Sequence, residues 1–293
     1  MSAPWLPMLL AAVGGAGVES ALLWAVLRRP GRWAWQAENY QGTQIPTAVG
    51  LLIVLPAALV VLVAASVMRA DSGRLLALLG AVLVCFGLLG LQDDLATESA
   101  TKGLLGHLRM SLARRCPTSG AVKAFGGAVV GVWAAATLNG HLGWEALVGG
   151  AVVALSANDL NALDKRPGRA GKAFVALAVP LAVVAACRHS VLGPALLGLA
   201  AAGAVYLPGD LRRRVMLGDA GANPLGAALG LVVVALTGTA AQAVLVAALL
   251  AFSLAADRFS LTALIERTPP LAWLNRLGTE GSRSDATDPG HPA

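Results

Sequence analysis

Nine apolar runs, each about as long as a membrane-crossing helix, dominate the sequence and restrict what it can fold into. A helix needs roughly 17 to 25 mostly apolar residues to cross a bilayer. The 293-residue chain is 57% hydrophobic and 13% charged, with a mean hydropathy of +0.70, so a soluble domain would lack polar surface. We predict an all-α, polytopic integral membrane protein whose spans lie near residues 5–27, 47–68, 75–91, 122–138, 144–161, 172–187, 191–207, 222–237 and 239–256.

Lysine and arginine collect in every second connecting segment, and this asymmetry predicts the orientation. Cytoplasmic segments retain these residues. If the N-terminus lies outside, all of the 22 cationic residues except Arg69, Arg74 and Arg188 fall on inside segments or at their membrane edge. Those segments are 28–46, 92–121, 158–172, 208–221 and the tail after 256. The sequence thus predicts an outside N-terminus and a cytoplasmic C-terminus, and topology accounts for the net charge of +6 without nucleic-acid binding.

Acidic residues on the inside segments lie at the ends of apolar runs, in distant parts of the sequence. Asp93 and Asp94 end the third run, Asp164 follows the fifth, and Asp219 precedes the eighth. Adjacent carboxylates repel each other and are costly near lipid. A solvated helix end and a metal- or phosphate-binding pair are therefore both open for Asp93 and Asp94. All of these segments reach the same membrane face, which allows their side chains to converge.

Amide side chains accompany the carboxylate at the end of the fifth run. Asn158, Asn161 and Asp164 recur every three residues, which places them along one face of a helix, while Asp159 points away from that face. Asparagine and aspartate are poor helix formers. Their register therefore favours a binding face over a frayed helix end.

The segment "MLGDAGANPLG" combines glycines with a carboxylate, Asp219. We predict that Asn223 caps the eighth helix and that Pro224 is its first residue. A glycine-lined loop before a helix N-terminus favours phosphate, whereas a carboxylate within it favours a cation. Mg²⁺ meets both demands, because it divides its ligands among carboxylates, water and substrate phosphates. With nearby cations such as Lys102, Lys165, Arg166 and Arg169, these are the groups that phosphoryl transfer requires.

Four motifs, in order, resemble a known family. "GTQIPTAVG" resembles a proline-containing loop before the second helix, "DD" followed by "KGLLGH" resembles an aspartate pair and Lys-Gly, "NDLNALD" resembles Asn-x-x-Asn-x-x-Asp, and "MLGDAGA" resembles Met-Gly-Asp-x-Gly-Ser. Together they resemble the polyprenyl-phosphate N-acetylhexosamine-1-phosphate transferases. These include the phospho-N-acetylmuramoyl-pentapeptide transferase and the undecaprenyl-phosphate N-acetylglucosamine-1-phosphate transferases.

The resemblance implies an enzyme of bacterial cell-envelope glycan synthesis, acting at the cytoplasmic face of the plasma membrane. Such an enzyme transfers a sugar-1-phosphate from a UDP-sugar to polyprenyl phosphate with Mg²⁺ and releases UMP. Carried over by motif, Asp93 and Asp94 are catalytic, and Asp219 with Asp94 binds the metal. The resemblance implies that Thr47, Lys102, Asn158, Asn161 and Asp164 bind substrate. From their charge and position on the inside face, we also predict that His107, Arg166 and Arg169 contact substrate phosphate. Whether the chain is a monomer or a homodimer stays open.

Two departures from the family pattern keep a second reading open. Asp164 is followed by "KRPGRAG" instead of a second aspartate with its glycines, and no histidine-rich loop follows the ninth run. The alternative is a non-catalytic relative that binds polyprenyl phosphate or scaffolds an envelope complex. A transporter is a third reading, disfavoured because no inverted repeat is visible.

The sequence predicts three parts: a transmembrane transferase domain over 1–256, a cytoplasmic amphipathic segment over 257–278, and a disordered polar tail over 279–293. Glu19, inside the first apolar run, has no obvious partner and receives no predicted function.

Overall fold

The computed structural model describes residues 5–39, 41–96 and 118–279. Within these ranges the chain forms eleven α-helices and one two-stranded sheet. The helices are α1 (Trp5–Arg28), α2 (Leu51–Val67), α3 (Ala70–Asp94), α4 (Ser119–Asn139), α5 (Trp144–Leu163), α6 (Arg169–Cys187), α7 (Leu192–Leu211), α8 (Asp219–Leu236), α9 (Thr239–Arg258), α10 (Leu261–Arg267) and α11 (Pro269–Arg276).

The predicted membrane spans coincide with the first nine of these helices. By length and composition, α1 and α3 to α9 can each cross a membrane. The ninth, α2, is apolar throughout but shorter, at 17 residues. The all-α, polytopic membrane class predicted from the sequence is confirmed. The predicted tail over 279–293 lies almost wholly outside the described residues, so its prediction stays untested.

Helix α8 lies at the centre of the bundle, where it packs against α3 and α5 and also touches α2, α4, α6 and α7. Nearly every residue from Ala220 to Val232 is buried. Small residues permit this close packing, as is common between membrane helices. A Cβ atom added to Gly226 would lie 2.3 Å from the Ser156 carbonyl oxygen of α5. The apolar stretch after Asp219 therefore becomes the core that its neighbours surround.

A short hairpin precedes α2 and brings the loop at 46–50 against the start of α8. Strands β1 (Gln36–Glu38) and β2 (Gln44–Pro46) pair antiparallel. Beyond them the Met216 N–H donates to the Pro46 carbonyl at 2.8 Å, and the Gly50 N–H donates to the Leu217 carbonyl at 3.0 Å. These bonds fix the predicted "GTQIPTAVG" loop beside the segment that enters α8.

The start of α8 differs from the sequence prediction. The helix begins at Asp219 with Gly218 before it, so Asn223 and Pro224 lie inside its first turns. Pro224 is the sixth residue of the helix and lacks the N–H that would donate to the Ala220 carbonyl one turn earlier. The Asn223 side chain instead donates to the Asp219 carbonyl at 2.9 Å. The prediction of a cap at Asn223 was wrong because the backbone N–H groups of Gly218 to Ala220 find acceptors on other helices.

Candidate active site

One end of the bundle, which we call the acidic end, gathers carboxylates from four helices. It is formed where α3, α5 and α7 end and where α4, α6 and α8 begin. The acidic residues there are Asp93, Asp94, Asp164, Asp210 and Asp219. The predicted convergence of Asp93, Asp94, Asp164 and Asp219 is therefore present, although they are separated by as many as 126 positions along the chain.

Asp94 occupies the N-terminus of α8. One of its carboxylate oxygens accepts the Asp219 N–H at 3.0 Å, and the other accepts the Ala220 N–H at 2.9 Å. The preceding Gly218 N–H donates to Asp164 Oδ2 at 3.1 Å. An anion in this position is favoured by the helix dipole and by the unpaired N–H groups. The helix start that the sequence assigns to substrate phosphate is thus filled by two side-chain carboxylates of the chain itself.

Asp93 and Asp219 face each other across a cation, Lys123. The Lys123 Nζ lies 2.5 Å from Asp93 Oδ2 and also contacts Asp219 Oδ2. All three side chains are about one fifth exposed, with values of 20%, 18% and 23% for Lys123, Asp93 and Asp219. This partly open arrangement leaves oxygens of both carboxylates accessible from outside the bundle.

The groups present at Asp93 and Asp219 fit Mg²⁺ in chemistry. Mg²⁺ binds to one or two carboxylates and completes its octahedron with water and substrate phosphates. Among the described residues no group of three or more histidine, cysteine or acidic side chains is arranged to hold a metal ion. Lys123 now balances the two carboxylates that a divalent ion would use. Asp94 is predicted as a metal ligand, but both of its carboxylate oxygens accept hydrogen bonds from backbone N–H groups.

A cleft of about 160 Å³ adjoins the acidic end and is lined by Lys123, Asn158, Asn161 and Lys165, with Ser253 from α9. Asn158 Nδ2 donates to Ser253 Oγ at 3.0 Å, and Ser253 Oγ donates to Asp159. Asn158 and Asn161 thus share a face, as predicted, whereas Asp164 turns to the loop before α8. Asp159 is buried against α9.

Asp164 lies half-buried at the end of α5, beside a second and smaller cavity. This space of about 30 Å³ is lined by Asp164, Arg166, Asp210 and Arg213, among others. Burial, together with the charges of Asp210 and Asp219, raises the pKa of Asp164 well above its usual range, against the opposing Gly218 N–H. Asp210 in turn accepts the Gly168 N–H at 2.9 Å.

The cationic residues of α6 contact the C-terminal segment, α10 and α11, instead of the cleft. Arg169 is 8% exposed; its Nε donates to Asn275 Oδ1 at 2.8 Å and its guanidinium to Thr262 Oγ1 at 3.0 Å. Lys172 donates to the carbonyls of Leu274, Asn275 and Leu277 at the end of α11, at 2.8, 2.9 and 3.0 Å. The predicted phosphate-binding role of Arg169 therefore competes with a contact that holds the C-terminal segment.

The remaining predicted substrate-binding residues are Thr47, Arg166, Lys102 and His107. Thr47 is buried in the loop beside α8; its N–H donates to the Trp35 carbonyl at 3.1 Å and its carbonyl accepts the Trp33 indole N–H at 2.8 Å. Arg166 lines the smaller cavity. Lys102 and His107 lie outside the described residues.

Comparison with known proteins finds no matching family model and no matching curated protein. The site is therefore assigned from the chain's own geometry. That geometry also contains three polar residues that the sequence reasoning did not assign to the site: Lys123, Asp210 and Ser253. Lys123 lies at the membrane edge of the inside segment 92–121, where a cation is expected from orientation alone. Asp210 has a signal of the same kind as Asp94, since it is a carboxylate at the end of an apolar run.

Proposed function

We propose that the protein is a Mg²⁺-dependent phosphotransferase that moves a sugar-1-phosphate from a UDP-sugar to polyprenyl phosphate. The observation that carries the proposal is the convergence of Asp93, Asp219 and Lys123 beside a cleft lined by Asn158 and Asn161. The resemblance of four ordered motifs to the N-acetylhexosamine-1-phosphate transferases supplies the reaction. The proposed setting is the cytoplasmic face of a bacterial plasma membrane, in cell-envelope glycan synthesis.

In the proposed reaction a phosphate oxygen of the lipid attacks the β-phosphorus of the UDP-sugar. The bond from that phosphorus to the oxygen bridging the two phosphates breaks, UMP leaves, and a lipid diphosphate sugar forms. Asp93 and Asp219 would hold Mg²⁺, which would neutralise charge on the donor phosphates. Lys123 lies within reach of the same charge, and the Asn158 and Asn161 amides suit donor groups that need hydrogen bonds.

Asp94 has a different role in this proposal from the one its motif implies. Because its oxygens bind the backbone at the start of α8, it positions Asp219 for the metal and leaves Asp93 as the carboxylate available to a proton or a metal. Asp164 acts likewise on Gly218 from the other side. Both are therefore positioning residues for the loop that carries Asp219.

The decisive experiment measures UMP release by the purified protein with Mg²⁺, undecaprenyl phosphate and a panel of UDP-sugars. We expect release with at least one UDP-N-acetylhexosamine, a fall of at least about 100-fold for Asp219→Asn, and no change for Asp71→Asn. Asp71 is a matched control, because it is an exposed aspartate in the first turn of α3, at the other end of the bundle. The proposed enzymatic activity would be refuted if no donor gave UMP release, or if Asp219→Asn released UMP as fast as the parent.

A second candidate, a non-catalytic protein that binds polyprenyl phosphate, is favoured by one observation. Lys123 already forms ion pairs with Asp93 and Asp219, the two carboxylates that a metal ion would use. A binding protein would need no Mg²⁺. Lipid binding that persists in EDTA and in Asp219→Asn, together with absence of UMP release, would favour this candidate.

A further inference from the structure

A buried carboxylate, Glu19, lies within α1 and has no role in the proposed function. It is the fifteenth residue of the apolar helix α1, and it is 1% exposed. Both of its carboxylate oxygens are buried and have no hydrogen-bond partner among the described residues. An unpaired acid at this depth is costly in a membrane protein, and such residues are commonly functional.

Glu19 lines a cavity of about 220 Å³ between α1, α2 and α7, which we call the Glu19 cavity. The wall is otherwise apolar, and no lysine, arginine or histidine among the described residues contributes to it. Leu10, Val18 and Val60 line it too and are 64%, 45% and 62% exposed, so the cavity opens at the outer surface of the bundle. Apolar side chains exposed on membrane-crossing helices face lipid, and an apolar molecule can enter from there.

A second acceptor borders the same cavity. Pro56 lies inside α2 and has no N–H, so the Leu52 carbonyl one turn earlier loses its intrahelical donor. Leu52, Pro56 and Glu19 all line the cavity. Glu19 therefore has unpaired acceptor oxygens at the cavity, beside a helix turn in which Pro56 removes one backbone hydrogen bond.

The lining of the cavity favours a cationic donor over a neutral one. Glu19 is the one acidic residue in the lining, and among the described residues no basic side chain there offsets its charge. A cation with an N–H donor would supply both the missing charge and the missing hydrogen bond.

We propose that the Glu19 cavity binds a lipophilic amine, whose protonated nitrogen donates to the Glu19 carboxylate while its alkyl chain lies between α1 and α2. The inference does not rest on the proposed transferase activity. It predicts that binding requires three features together: an apolar chain, a positive charge and an N–H donor.

The test uses the full chain in phosphatidylcholine nanodiscs and dicyclohexylcarbodiimide, an apolar reagent that modifies buried protonated carboxyl groups. Mass spectrometry follows modification of Glu19, with Glu19→Gln as the blank. N,N-dimethyldodecylamine is the probe, because as a tertiary amine it has one N–H when protonated and forms no amide with an activated carboxyl group. At about ten times its Kd it should leave roughly a tenth of the sites free and slow modification about tenfold.

Two related molecules separate the features of the probe. Dodecyltrimethylammonium has the charge without a donor, and dodecan-1-ol has a donor without the charge, so neither should slow modification as the amine does. Equal protection by the alcohol would overturn the choice of a cation. Equal protection by the quaternary ammonium would overturn the hydrogen bond to Glu19. Absence of protection by the amine would overturn the proposal itself.

Two glycines of α1 provide matched variants that leave Glu19 in place. A Cβ atom at Gly14 or at Gly17 would meet nothing within 4 Å, so a larger side chain is tolerated at either position, but only Gly14 lines the cavity. Gly14→Leu should fill the cavity and slow modification of Glu19 about tenfold, while Gly17→Leu should behave as the parent. Equal modification of both variants would show that the reagent reaches Glu19 by another route and would overturn the site.

Discussion

Asp94 at the end of α3 binds the backbone of Asp219 at the start of α8, with 3.0 Å between its carboxylate oxygen and the Asp219 nitrogen. The side chain of the neighbouring Asp93 does not bind this backbone; it forms an ion pair with Lys123, which also pairs with the Asp219 side chain. Two adjacent aspartates thus do different work. One carboxylate completes a helix N-terminus, and the other remains partly open to solvent.

The two aspartates should therefore separate stability from activity. Asp94→Asn loses the charge and one of two acceptors at the α8 N-terminus, which should lower the free energy of unfolding by about 1–3 kcal/mol. Asp93→Asn loses one partly exposed ion pair, worth about 0–1 kcal/mol, yet should abolish UMP release. Unfolding in increasing SDS fraction measures the first effect. A smaller stability loss for Asp94→Asn than for Asp93→Asn would contradict this division.

Lys123 should control how strongly Mg²⁺ stabilises the protein. In Lys123→Gln, Asp93 and Asp219 face each other without their shared cation, so the variant should melt below the parent in EDTA. Adding Mg²⁺ should raise the Tm of this variant by more than it raises the Tm of the parent, because in the variant the ion does not compete with an ammonium group. Lys165→Gln is the matched control, since Lys165 lines the same cleft and is exposed. An equal Mg²⁺ response in all three proteins would argue against a metal at these carboxylates.

Arg169 should stabilise the C-terminal segment more than it binds a donor. Arg169→Gln removes its hydrogen bonds to Asn275 and Thr262, so trypsin should cleave faster after Arg267 and Arg276. Limited proteolysis with mass spectrometry would detect this. By contrast, Arg166→Glu should raise the Michaelis constant for the UDP-sugar, because it places a negative charge next to Lys165, which lines the proposed donor cleft. A larger effect on the Michaelis constant from Arg169→Gln would restore the phosphate-binding role that the sequence predicts.

The sequence was sufficient for the all-α membrane fold because the length of an apolar run is a property of a local segment. The same holds for the carboxylates at helix ends, whose common membrane face follows from counting spans. Asn158 and Asn161 were correctly placed on one face, because three-residue spacing acts within a single helix.

What the sequence could not supply depends on contacts between distant segments. Lys123 contacts Asp93 from 30 positions away, and Asp94 reaches Ala220 across 126. Whether a helix N-terminus receives a ligand phosphate or a carboxylate of the same chain is decided by which helix packs beside it. The cap predicted at Asn223 was wrong for this reason, and Arg169 was assigned to a substrate because its partners on α10 and α11 follow more than 90 residues later.

Two glycines on α3 test whether close packing of α3 on α8 sets the site. A Cβ atom at Gly90 would lie 2.2 Å from the Asp219 carbonyl oxygen, whereas one at Gly87 would make an ordinary 3.4 Å contact with Val54. Gly90→Ala should lower the free energy of unfolding by about 1–3 kcal/mol and abolish activity, because overpacking displaces Asp219. Gly87→Ala should be neutral or slightly stabilising, since alanine favours helix over glycine by about 1 kcal/mol. Similar losses from both substitutions would indicate a general effect of filling this helix face.

The raised pKa of Asp164 predicts how stability changes with pH. In the unfolded chain the pKa of Asp164 has its usual value of 3.8, and in the folded state its pKa is higher. Between these two pKa values, the folded state therefore binds more protons than the unfolded chain. Stability from this group must therefore fall as pH rises through that interval. Asp164→Asn removes this dependence and keeps an oxygen that accepts the Gly218 N–H. Measured in EDTA from pH 4 to pH 8, its Tm should exceed that of the parent increasingly as pH rises, while Asp71→Asn should follow the parent. A Tm for Asp164→Asn that falls below the parent at pH 8 would mean that the charged carboxylate stabilises the loop before α8.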